Sequence, residues 1–180
     1  MLNENEAHTY EITPLTMAII AKRNENGMLY ALVLEEAREY TVFISPTKMV
    51  DFACKFYGSS LQGRLDGTRN VCKITHKAPI VIDPATGMYF FPTASPQNKD
   101  CSWLAHSHIV SLDPVNKGSK TAVTFKNRKT ITLDVSMGSR LNQQYRTAQF
   151  RYSLDERMNI IRSAADKSNI DSLLLNNFIF

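Results

Sequence analysis

Ile80-Val81-Ile82-Asp83-Pro84-Ala85-Thr86-Gly87-Met88-Tyr89-Phe90-Phe91 reads as two apolar strands folded about a turn. Pro84 presets its own φ and Gly87 tolerates a left-handed backbone, so this stretch predicts a β-hairpin between β-branched and aromatic runs. Upstream, Ser45-Pro46 supplies a hydroxyl cap followed by proline at the first helical position. Met49, Val50, Ala53, Cys54, Phe56 and Tyr57 then share one helical face, with Lys48, Asp51 and Lys55 opposite. Gly58 is placed to end that helix, and Ser59 is expected to cap a short second one through Leu61 and Leu65, ending near Gly67. Strand signals return from Val71. Downstream, residues 93–100 are polar and read as a loop, and residues 103–112 as one alternating strand on which His106 and His108 point to the same side. Residues 121–125 and 130–133 predict a further hairpin, with Lys126-Asn127-Arg128-Lys129 as a basic tip.

The front of the chain predicts an antiparallel meander with acids on its wet side. Its strands are residues 10–13, 17–23, 29–34 and 40–45, with Asn24-Glu25-Asn26-Gly27 as a turn. The last forty residues turn helical. Leu141, Tyr145, Ala148 and Tyr152 recur at helical spacing, Met158, Ile160 and Ile161 continue the pattern, and residues 170–180 are apolar enough to predict docking on the body, a second subunit or another protein. The fold class expected is α+β: an antiparallel β-sheet of meander and hairpins with a central helix and C-terminal helices. One domain is expected over residues 1–180, comprising an acidic β meander (1–45), a basic core (46–136) and a C-terminal helical region (137–180).

The chain has 180 residues, 43% of them hydrophobic and 21% charged, which is the balance of an ordinary globule. No apolar run approaches the roughly 20 residues of a membrane span, and the start lacks the pattern of a secretory signal, so a cytosolic protein with reduced thiols at Cys54, Cys72 and Cys101 is expected. The net charge is +4, unevenly spread. Residues 1–40 carry seven acids against Lys22, Arg23 and Arg38, whereas the remainder carries ten acids against eighteen bases. An acidic ligand is expected to meet the later part.

Catalysis finds little support. Ser59, Ser60, His76 and Asp83 can be drawn as a triad, yet no Gly-x-Ser-x-Gly elbow is present, and Gly58, Gly63 and Gly67 lack the context of a phosphate-binding loop. Neither a catalytic residue nor a cofactor is assigned. Zinc would draw on Cys101, His106 and His108, joined by Cys72 or His76, but the close cysteine pairs of structural fingers are missing and ordinary histidines are the simpler reading. The bases cluster: Lys55, Arg64, Arg69, Lys73 and Lys77 face only Asp66 in their segment, and residues 117–129 hold five bases and no acid. Such clusters are often plain solvated surface, and they also suit nucleic acid.

Several blocks in order resemble the ComK family of competence transcription factors. They are Cys54-Lys55-Phe56-Tyr57-Gly58-Ser59-Ser60, Gly63-Arg64, Gly67-Thr68, Ile74-Thr75-His76-Lys77-Ala78-Pro79-Ile80, Asp83-Pro84, Phe90-Phe91-Pro92-Thr93, Cys101-Ser102-Trp103-Leu104-Ala105-His106-Ser107-His108, Val123-Thr124-Phe125 and Gln144-Tyr145-Arg146-Thr147-Ala148. The resemblance implies a sequence-specific DNA-binding activator of genes for DNA uptake. It would bind double-stranded DNA at paired AT-rich boxes through the minor groove, as a homo-oligomer (dimer or dimer of dimers), and be captured by an adaptor of a Clp protease.

For the adaptor, Ser172-Leu173-Leu174-Leu175 and Phe178-Ile179-Phe180 are the nearest apolar candidates. For DNA, Lys55, Arg64, Arg69, Lys73 and Lys77 are placed at the phosphates or groove, Ser59 and Ser60 as phosphate donors, and Lys126, Arg128 and Lys129 as a finger. The competing class is a regulatory or protein-interaction module, zinc-dependent through the Cys/His cluster, without direct DNA contact.

Overall fold

Met17-Ala18-Ile19-Ile20 is apolar at every position, the pattern of a strand covered on both faces. All four side chains are buried in β1 (Thr16–Arg23) of the structure, a computed structural model that describes residues 11–176, with side chains up to residue 166. On one side β2 (Leu29–Glu35) and β3 (Glu39–Val42) extend the sheet as the expected meander. On the other stand β6 (Trp103–Ala105), β5 (Met88–Pro92) and β4 (Ile80–Asp83), giving six antiparallel strands in the order β3-β2-β1-β6-β5-β4. The predicted β4–β5 hairpin is present, with Ile80 opposite Phe90. Residues 11–13 form no strand, and residue 10 lies outside the described residues.

Alternation along these strands sorts the molecule into layers. Ile19, Val33, Ile82, Phe90 and Trp103 face α1 (Pro46–Phe56) and α2 (Leu61–Cys72). Ala18, Ile20, Leu34, Phe91 and Leu104 face the other way, onto a three-stranded sheet of β7 (Ile109–Val115), β8 (Lys120–Phe125) and β9 (Thr130–Leu133). Beside that small sheet, Val81 and Tyr89 receive Phe150 from α3 (Met137–Asn176). The class is α+β with antiparallel sheets, as expected, but with two central helices and one continuous C-terminal helix.

Local signals explain α1. The Ser45 hydroxyl accepts from the Lys48 N–H, Pro46 opens the helix, and Gly58 follows its end at φ 72°. In α2 the cap is Ser60 rather than Ser59, its Oγ accepting from the Gly63 N–H at 3.0 Å, and the helix continues through Gly67 to Cys72. An interior glycine costs a helix about 1 kcal/mol. Tertiary bonds offset it: Thr68 Oγ1 donates to the buried Pro79 carbonyl at 2.6 Å, and Arg64 donates to the Ile82 carbonyl at 2.9 Å.

The strand expected over residues 103–112 is broken. A 3-10 turn, His106–His108, separates β6 from β7 and carries the chain from the large sheet to the small one, so the two histidines do not line one side of a strand. The buried face of α3 also differs from the apolar spacing. Arg140, Gln143, Thr147 and Phe150 are buried, while Tyr145 (69% exposed), Ala148 and Tyr152 (67%) face solvent. Unpaired carbonyls below the helix call for donors: Gln143 Nε2 reaches Lys77 O and Pro92 O at 2.8 and 3.0 Å, and Arg140 reaches Thr93 O at 3.2 Å.

Candidate nucleic-acid interface

The residues singled out for DNA fall into two groups on opposite layers of the fold. On the helix layer several are already engaged. Lys55 pairs with Asp51 at 2.7 Å and Arg69 with Asp66 at 2.9 Å. The Arg64 guanidinium ties the end of α1 to β4 through the Tyr57 and Ile82 carbonyls. Ser60 is occupied as a cap, and the Asp51 carboxylate accepts the Leu61 N–H at the start of α2, so this helix end beside Ser59 already carries a negative charge. Burial pushes the Asp51 carboxyl up, but the Lys55 ammonium and the Leu61 N–H outweigh it and hold it below the usual carboxylate range.

Lys73 and Lys77 remain, without a side-chain partner among the described residues. They lie where α2 ends and the chain turns toward β4. Arg146 and Arg157 of α3 join them, for Arg146 donates to the His76 carbonyl at 2.6 Å and Arg157 to Asn70 at 3.3 Å. Both arginines are visible in the sequence, but only the packing of α3 shows that they gather here.

The second group is the β8–β9 tip at the opposite edge, near the β2–β3 turn. Its backbone is clamped. The Lys126 N–H donates to His108 O at 2.9 Å, Asn127 Nδ2 to Glu36 O at 3.0 Å, and the Lys129 N–H to Asn127 Oδ1 at 3.0 Å. Asn127, a member of the tip not singled out beforehand, is thus its fastener, a role asparagine often takes in turns. Lys129 pairs with Glu39, whereas Lys126 and Arg128 are exposed and free of acids among the described residues.

Among the described residues five non-glycine residues have a positive φ, and four are basic: Lys73 (60°), Lys77 (47°), Lys117 (56°) and Arg128 (68°), with Asn116 (48°) the fifth. Such conformations favour glycine and cost a side-chain-bearing residue about 1 kcal/mol. Cations therefore stand at tight turns where the backbone alone would prefer none.

The Cys/His cluster does not assemble. Burial pushes the Cys101 thiol up, its Sγ donates to the Ala94 and Ser102 carbonyls at 3.5 Å, and the His108 ring nitrogen lies 2.8 Å from the Pro14 carbonyl. Among the described residues no three His, Cys, Asp or Glu side chains converge as metal ligands. No helix among them is long and apolar enough to cross a membrane.

These features describe a sheet-centred α+β scaffold that presents, at its turns, cations without acid partners among the described residues. A family model described as ComK protein matches residues 7–159. A relative described as "Competence transcription factor", from Bacillus subtilis (strain 168), is 36% identical over 150 residues, covering 83% of this chain and 77% of its own length. No solved structure gives a significant match. The chain belongs to the ComK family. Membership makes it a transcriptional regulator of competence rather than an enzyme.

Proposed function

We propose that the protein is a sequence-specific DNA-binding activator that acts in the cytoplasm as an oligomer, reading paired AT-rich boxes through the minor groove. Arg128 carries this reading. It is exposed, has no acid partner among the described residues, and stands at φ 68° on a hairpin tip clamped from below by His108 and Glu36. An A·T-rich minor groove is about 6 Å wide and strongly negative, so it admits a single guanidinium more readily than a whole hairpin. Lys126 beside it is placed for the flanking phosphates. Lys73 and Lys77, on the other layer, serve a phosphate strand reached only when a second copy or a bend brings it round. Paired boxes call for at least two copies on one duplex.

Gel shifts at two salt concentrations test this with AT-rich, GC-rich and inosine-substituted boxes. Inosine–cytosine pairs lack the guanine amino group, so they show the minor-groove face of A·T and the major-groove face of G·C. The inosine duplex is expected to bind like the AT-rich one. The double variant Lys126→Ala, Arg128→Ala is expected to flatten the slope of log K against log salt by about 1.8, at about 0.9 per lost contact. An inosine duplex that behaves like the GC-rich one removes the minor groove from the account, and an unchanged slope removes the hairpin.

A further inference from the structure

The outer side of α1 carries an apolar trough with no part in the cationic surfaces. Phe52, Phe56 and Tyr57 form its floor along the helix, Ile12, Pro14 and Ile44 form the facing wall, and Lys48 from the helix and Glu11 from the segment of the wall also line the concavity, whose volume is about 480 Å³. Phe56 is 76% exposed, although it sits one turn from Phe52 on the same stripe. The inward face of α1 is satisfied separately, by Met49, Val50, Ala53 and Cys54 in the core. An aromatic stripe left open beside a full core is surface that some other chain can cover.

Charge at one end of the trough narrows the choice of occupant. Lys48 lies in the first turn of α1, its Nζ 5.7 Å from the centroid of the Phe52 ring, with no acid partner among the described residues. No acid stands in that first turn, so the partial positive charge of the helix N-terminus adds to the ammonium. The floor from Lys48 to Tyr57 is about 14 Å long at 1.5 Å per residue, the length of two to three helical turns. Apolar side chains three and four residues apart on one helix fit such a floor, and an acid on the flank beside Lys48 complements its charge.

We propose that this trough docks an amphipathic helix of a partner protein, apolar on its inner stripe and acidic on the flank that meets Lys48. The site is separate from the DNA surfaces. Its wall nevertheless reaches them through one short route, since the Pro14 carbonyl meets the His108 ring and the His108 carbonyl holds the Lys126 N–H.

The probe is a fluorescein-labelled, helix-stapled peptide of about ten residues. It carries leucines at helical spacing, glutamates on one flank and glutamines on the other, and is compared with a lysine-for-glutamate version and a scrambled one. The full-length protein is expected to bind the acidic peptide in fluorescence polarisation, and the others at least about tenfold more weakly. Phe56→Ser is expected to abolish binding, and Lys48→Glu to reverse the preference between acidic and basic peptides. Both positions are exposed, so the fold is not at risk, and DNA affinity is expected to stay unchanged in Phe56→Ser. Equal binding of all three peptides, no binding, or a Lys48→Glu variant that still prefers the acidic peptide overturns the proposal. So does a dimer, seen by light scattering without peptide, that Phe56→Ser dissolves, because the occupant is then a second copy.

Discussion

Arg64 is a base by composition and a brace by position. Its guanidinium joins the Tyr57 carbonyl at the end of α1 to the Ile82 carbonyl of β4, and it is half-buried. Replacing it with alanine is expected to lower unfolding stability by about 2 kcal/mol, because hydrogen bonds from a charged donor are lost. Arg64→Lys restores only part, since a single ammonium cannot span both carbonyls with the same fork. Urea denaturation measures the loss, and a gel shift on the folded fraction shows whether DNA affinity follows it.

Two other residues set a pH limit. Burial pushes the Cys54 thiol up to about 11 and, with Glu35 adding to it, the Tyr40 phenol up to about 12, from ordinary values of 9.0 and 10.0. A proton held more tightly in the folded state contributes stability that is full below the ordinary value and is lost as pH rises toward the folded one. The urea midpoint is therefore expected to fall from about pH 9 upward. Tyr40→Phe should lessen the decline above about pH 10 and leave the shares of Cys54 and of Tyr89, whose phenol burial also pushes up.

At the scale of elements, sequence legibility depended on how local the cause was. The start of α1 was readable because Ser45, Pro46 and Gly58 act within one turn of the residues they direct. The length of α2 was not, because Thr68 and Arg64 reach the strand that follows, and glycine at position 67 reads as a stop when those bonds are unseen. In α3 the helical spacing was legible but the buried face was not, since the body offers bare carbonyls and takes Arg140 and Gln143 against them while Tyr145, Ala148 and Tyr152 face solvent.

Arg140 is fully buried, burial lowers its pKa to about 10, and Nε and Nη1 find no hydrogen-bond partner among the described residues. Methionine fills similar space without a charge to desolvate, so Arg140→Met is expected to change stability by less than about 1 kcal/mol. A loss above about 3 kcal/mol in urea would show that the guanidinium is better satisfied than its single bond to Thr93 suggests.

For the whole molecule, strands from residues 16–42 and 80–105 share one sheet, which binds the acidic front to the basic middle. Trp103, the only tryptophan, is fully buried in that sheet and donates from Nε1 to Thr47 Oγ1 at 3.2 Å. A single cooperative unit is expected: tryptophan fluorescence and far-ultraviolet circular dichroism should trace the same urea transition. Separated midpoints would divide the chain into independently melting parts. The candidate site was legible only as a tally of bases. Which of them keep a free head group depends on acids distant in sequence, as with Glu39 opposite Lys129, and no spacing rule shows that.

Under the proposed DNA reading, the cations seated on left-handed backbone set sturdiness and activity against each other. Arg128→Gly relieves the backbone at φ 68° and is expected to leave the melting temperature unchanged or raise it, while DNA affinity drops. A laboratory selection that rewards heat tolerance alone would drift toward glycine at Lys73, Lys77, Lys117 and Arg128, and would enrich robust proteins that no longer switch on their genes.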